Sequence, residues 1–176
     1  MTPIMRLYLK VFLYTGLPFA LLMMVLDVLS GDTLHIARFI SHFVVFGGLM
    51  SLVLVSLHRY QLTRKGVDKL NDSPLSVVQK TRIQTTLSRA EIINRLKSAP
   101  AIRRIELSED GNSMTLHTGV SWRSWGEKIL LSFHQTGPTT TVVEVESNPK
   151  LRTTVVDYGK NRENVKRIEE LLGSYS

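Results

Sequence analysis

Asp27 is a carboxylate set in a stretch that is otherwise apolar, and such a group is costly at membrane depth unless it has a partner. If the two apolar runs around it fold back antiparallel with a turn near Leu34, Asp27 comes level with His42, and Arg38 lies one turn nearer the surface. Three uses fit this constellation of Asp27, Arg38 and His42. It can be a clasp between two helices near the outer interface, a relay for a proton or ligand, or an interfacial carboxylate in contact with water.

The segment Trp122-Arg123-Ser124-Trp125-Gly126-Glu127-Lys128 holds both tryptophans of the chain beside basic residues. Tryptophan next to a cation suits a membrane interface or the anchor of a protein contact. It equally suits the capping of a core, so Trp122, Arg123, Trp125 and Lys128 are candidates for a partner or membrane interface with that alternative open. Asp157-Tyr158-Gly159-Lys160-Asn161 precedes an amphipathic stretch, where exposed amides at a helix start favour an anion. Gly159, Lys160 and Asn161 are therefore a weak anion-binding candidate, since a lone Gly-Lys falls far short of a phosphate-binding loop and turn chemistry also accounts for it.

Other chemistry is poorly supported. The chain has no cysteine, which removes disulfides, thiolate ligands and a cysteine nucleophile. The histidines 35, 42, 58, 117 and 134 form no HxxxH or HExxH pattern, so no metal site is signalled. There is no glycine-framed serine, no distinctive carboxylate pair and no cofactor fingerprint. No cofactor is expected, and enzymatic activity has no residue set to carry it.

The elements that must position these residues divide the chain sharply. Residues 1–57 carry only Arg6, Lys10, Asp27, Asp32 and Arg38 as formal charges, whereas residues 58–176 carry 19 Lys or Arg and 13 Asp or Glu. Mean hydropathy near zero conceals this contrast. Residues 11–26 are free of charge, as are the nineteen residues 39–57. A bilayer core of about 30 Å needs roughly 20 helical residues, so both runs are long enough to span. A cleaved signal peptide fits the first run less well, because no A-x-A-like site follows it. Gly31 and Asp32 mark the hairpin turn. Pro18 predicts a kink in the first helix, and Gly47-Gly48 predicts a flat spot for close helix packing in the second.

Arg6 and Lys10 precede the first span, and Arg59, Arg64, Lys65 and Lys69 follow the second, while the turn holds Arg38 alone. The positive-inside rule places both termini in the cytoplasm, with the membrane of a bacterial cell as the expected location. Residues 58–73 read as a basic juxtamembrane linker or an extension of the second helix, ended by Asn71-Asp72-Ser73-Pro74.

Residues 74–176 read as an α+β domain. Alternation over 77–87 predicts a strand, and Ser88-Arg89-Ala90-Glu91 is a capping box that starts a helix over 89–98. Strands are predicted at 102–107, 113–120, 128–135 and 139–147, with a further one at 152–156. A closing helix has Asn161 as its predicted N-cap and Gly173 as its stop. The predicted class is thus a two-helix transmembrane hairpin followed by a small domain in the order strand, helix, four or five strands, helix, with both helices on the apolar face of an antiparallel sheet.

The net charge of +6 over residues 58–176 follows from cytoplasmic bias in a membrane protein, with the bilayer as the nearest polyanion, so no nucleic-acid partner is expected. The reading for function is a membrane-anchored accessory, scaffolding or regulatory protein whose cytoplasmic domain meets membrane lipids or another membrane or cytoplasmic protein. The alternative is a tethered binding module for a lipid or other apolar ligand. An apolar cleft of roughly 300 Å³ or more between sheet and helices would favour the ligand, and a filled core with an exposed tryptophan would favour the partner.

Overall fold

A computed structural model describes residues 1–67, 75–109, 111–121, 124–137 and 139–173. The chain forms two compact units, Met1–Leu75 and Ser76–Ser176.

The first unit is a helical hairpin. Helix α1 (Pro3–Leu29) starts at Thr2, whose hydroxyl accepts from the Met5 amide at 3.4 Å, with Pro3 supplying the fixed φ of a helix start. Helix α2 (Ile36–Arg64) runs seven residues past Leu57, so the stretch read as a linker or an extension of the second helix begins as two further helical turns, in which His58 and Leu62 are completely buried. Both helices are long and apolar enough to cross a membrane. Pro18 lies inside α1, which continues through it to Leu29.

In a bilayer two apolar helices would have no hydrophobic drive to pair, and close van der Waals contact would have to hold them. Gly16 and Gly47 supply that contact. A Cβ on Gly47 would lie 2.9 Å from the Phe12 carbonyl oxygen, and one on Gly16 would lie 2.8 Å from that of Phe43. Phe12 and Phe43 meet edge-on at 4.7 Å and Phe19 stacks on Phe46 at 3.9 Å, on either side of the glycine crossing. The predicted flat spot is therefore half right. Gly47 is in the seam, but Gly48 points to open space, and the partner of Gly47 is Gly16.

The second unit is α+β. Strand β1 (Gln79–Thr85) leads through the Ser88–Glu91 capping box to α3 (Arg89–Lys97), and a meander of β2 (Ile102–Leu107), β3 (Ser113–Thr118), β4 (Glu127–Gln135) and β5 (Thr141–Pro149) ends in α4 (Lys160–Leu172). The Ser88 hydroxyl and amide hold the Glu91 carboxyl below its ordinary pKa of 4.5. The sheet order is β1-β5-β4-β3-β2 and every pairing is antiparallel, with Gln79 opposite Ser147 and Thr85 opposite Thr141 at the β1–β5 seam.

Strict alternation in β3 and β4 sends Met114, Leu116, Ile129, Leu131 and Phe133 to one face. There they join Ile83, Val143 and Val145 from the sheet, Ile92 and Leu96 from α3, and Val165, Ile168 and Leu172 from α4. These thirteen side chains fill the layer between sheet and helices, each at 8% exposure or less, and full burial of such a side chain stabilises by about 1.5–3 kcal/mol.

Two sequence expectations fail here. Residues 152–156 form no strand, although they are rich in β-branched types: β5 has β1 and β4 on its two sides, so they cannot continue the meander beside it, and the chain turns there with the Thr154 amide bonded to the Leu151 carbonyl at 3.1 Å. Nor is Asn161 the N-cap of α4. That position falls to Gly159, with φ at 70°, and Asn161 is a buried helical residue.

Adjacent glycines in α2 make a sharp test of the seam. Gly47→Ala is expected to lower hairpin stability in detergent by about 1–3 kcal/mol through overpacking, whereas Gly48→Ala is expected to be neutral or to stabilise by up to about 1 kcal/mol from helix propensity. Equal effects of the two in denaturant titration would contradict the assigned contact.

Candidate functional site

Strand direction collects distant parts of the chain at one end of the sheet. β1 starts there at Gln79, α3 finishes there, β3 and β5 end there, and β4 and α4 begin there. The inward alternation of β4 starts with Glu127, not with an apolar residue, and this carboxylate is only 1% exposed. A buried carboxylate is stable only when hydrogen bonds satisfy its oxygens. The hydroxyls of Thr118 and Ser124 both donate to it, and Asn164 of α4 donates from Nδ2 at 3.4 Å. Thr118 Oγ1 in turn accepts the Glu127 amide at 2.7 Å.

The network continues across the core. Asn164 Nδ2 also reaches Ser147 Oγ at 3.3 Å, Ser147 donates to Asn161 Oδ1 at 2.6 Å, and Asn161 Nδ2 donates to Asp157 Oδ2 at 3.0 Å. Asp157 does the capping that Asn161 was predicted to do, accepting the Gly159 amide at 3.0 Å and the Asn161 amide at 2.9 Å. One line of polar side chains thus ties β3, β4, β5 and the first turns of α4 together. Tyr158, at φ 52°, and Gly159 take consecutive left-handed conformations to start the helix there, and burial pushes the Tyr158 hydroxyl above its ordinary pKa of 10.0.

For the anion candidate this geometry is informative. The Gly159 and Asn161 amides are directed at the chain's own Asp157 carboxylate, and Lys160 Nζ meets Glu163 at 3.2 Å.

The interface candidate takes a different form. Ser121 and Ser124 exchange backbone hydrogen bonds at 2.8 and 3.2 Å, and Trp122 and Arg123 between them lie outside the described residues. Ser124 Oγ accepts the Gly126 amide at 2.9 Å, and Gly126 adopts φ 93° with its Cα so close to β3 that a Cβ would sit 3.0 Å from the Thr118 carbonyl oxygen. With Gly126 and Glu127 pulled inward, Trp125 is 69% exposed. Val120 at 68% and Leu151 at 45% are large apolar residues exposed at the same end.

Cations surround them. Lys150 Nζ donates to the Thr118 carbonyl at 3.2 Å, Arg103 lies against Gly119, and Lys128 and Arg152 are exposed. Two carboxylates of this end, Glu127 and Asp157, are buried in the network, and Glu163 in the first turn of α4 is paired with Lys160 and Arg167, so the more exposed charges there are basic.

In the hairpin, Arg38 lies 3.4 Å from Asp27 and 2.9 Å from Asp32. Asp32 is a partner that the sequence reading missed, though its turn position made it available. His42 is not in the pair; its ring stands edge-on to Phe19 with centroids 6.1 Å apart. A groove of about 280 Å³ beside the pair is lined by Leu21, Met24 and Phe39 together with Asp27 and His42.

Compared with protein-family models, curated proteins and solved structures, the chain matches none. The class that its own coordinates define is a helical hairpin of two candidate membrane spans followed by an α+β domain with a basic, tryptophan-bearing end.

Because Arg38 keeps Asp32 when Asp27 is changed, Asp27→Asn is expected to cost less than about 1 kcal/mol, in line with the roughly 0.6 kcal/mol average for polar contacts between membrane helices. Unfolding in detergent measures this. A loss of several kcal/mol, as for a buried charge stripped of its partner, would contradict the shared clasp.

Proposed function

We propose that the chain is a membrane-anchored accessory, scaffolding or regulatory protein that acts through the surface of its second unit rather than through a reaction centre. The observation that carries this reading is the combination of a filled core with Trp125 exposed at 69% beside Lys128, Lys150 and Arg103. Thirteen side chains occupy the layer where an apolar ligand would have to sit, which favours surface contact over the alternative of a ligand module. The buried polar residues are committed to one another, and that mutual satisfaction suits a structural role for them.

The hairpin supplies the anchor. Two apolar helices with basic residues before the first and after the second are the pattern of a two-pass protein with both termini in the cytoplasm, in a bacterial cell membrane. The second unit then works at the inner leaflet.

Reporter fusions test the orientation. A reporter active only in the cytoplasm, attached after Ser176, is expected to work, and one active only outside it is expected to stay silent; the reverse pattern would overturn the assignment.

A further inference from the structure

We infer that the basic end of the sheet is a docking surface for anionic lipid headgroups, with Trp125 and Val120 seated in the bilayer interface. This rests on the reading of the hairpin as a membrane anchor and names what the second unit meets first.

Three observations converge on this occupant. Trp125 and Val120 are the most exposed large apolar residues among those described in the second unit, and both stand on the connection between β3 and β4. Arg103, Lys128, Lys150 and Arg152 are exposed at the same end, while Glu127 and Asp157 are turned into the core at 1% and 4% exposure and Glu163, in the first turn of α4, is paired with Lys160 and Arg167. An amphipathic ring that lies among cations is the pairing that headgroup regions favour, the ring at interface depth and the cations at the phosphates. A protein hot spot shares the tryptophan, but a basic rim would require an acidic partner surface, whereas an anionic leaflet beside the anchor supplies that charge itself.

The third observation is connectivity. Gln79, where the chain enters the sheet from the hairpin, is at this same end. Residues 65–78 are the whole connection from α2 to β1, and at full extension they span no more than about 50 Å. The tether keeps the basic end at high effective concentration over the leaflet, so weak individual contacts with lipid suffice. The glycine geometry serves the same purpose. Gly126 at φ 93° carries the chain from exposed Trp125 to buried Glu127 in a single step, so the ring is held outward by a backbone that is itself fixed from below.

The chain's two tryptophans, Trp122 and Trp125, give a native probe. The full chain carrying Trp122→Phe, so that Trp125 alone emits, is reconstituted in phosphatidylcholine vesicles with none or with about 30% phosphatidylglycerol, and with acyl chains brominated or plain. In the anionic vesicles the emission is expected to shift to the blue and to be quenched roughly twofold by bromine, as for a ring at interface depth. Quenching is expected to fade in about 0.5 M salt and in the Lys128→Glu/Arg152→Glu variant, both of whose sites are exposed, because the attraction is screened or reversed.

Absence of bromine quenching in either composition would overturn the inference. So would equal quenching in both compositions that ignores salt and charge reversal. A blue shift without bromine quenching would assign Trp125 to contact with a second copy of the chain and likewise overturn it. An alkaline wash separates the two levels: a chain stripped from the vesicles defeats the anchor itself, whereas a retained chain without quenching defeats the lipid surface alone.

Discussion

A carboxylate placed at the inward-facing start of a strand imposes conditions on everything around it. Glu127 sits in phase with Ile129, Leu131 and Phe133, and leaving its oxygens unmatched in that layer would cost several kcal/mol. Its needs are met from three directions: by Thr118 at the end of β3, by Ser124 on the connection, and by Asn164 on α4. Satisfying Glu127 therefore fixes where β3 must end, how the connection must turn and how α4 must lie on the sheet. Asn161, Ser147 and Asp157 extend the constraint to the start of α4, and the positive φ of Gly126 follows from it. The outward display of Trp125 is thus a consequence of what is held inside.

The hairpin solves its packing problem by other means. Small residues and stacked rings make the seam, and the charged groups, Asp27, Asp32 and Arg38, are gathered next to the turn where they can answer one another. Neither unit borrows the other's device. The hairpin relies on close contact of backbones, and the domain on an apolar layer of thirteen side chains with a polar line along one border.

Much of this was legible because it depends on local pattern. Period-two alternation located the five strands within a few residues, the Ser88–Glu91 box marked the start of α3, and Gly173 marked the end of α4. What escaped depends on residues far apart in sequence. Gly16 gave no signal until Gly47 was placed against it. Residues 152–156 have strand propensity, but whether the place beside β5 is free for them is decided by where β1 pairs. Asp157 displaced Asn161 as the cap because Ser147 claims the Asn161 side chain from across the core. The network itself had a trace: Glu127 and Ser147 are in phase with the apolar positions of their strands, and Asn161 and Asn164 with those of α4. Polar residues on an apolar face are the signal, and it is read only when they are matched in pairs.

The central claim is that the Glu127 network, and not the apolar layer alone, holds the Trp125 connection in place. Amide hydrogen exchange in the full chain carrying Asn164→Leu tests it directly, since leucine keeps the branched heavy-atom shape and removes the Nδ2 donor. Exchange at the Glu127 amide is expected to accelerate by about tenfold or more, the effect of a buried acceptor losing one partner, while the Leu131 amide at the centre of β4 changes far less. Acceleration by the same factor at both amides, or at neither, would contradict the claim.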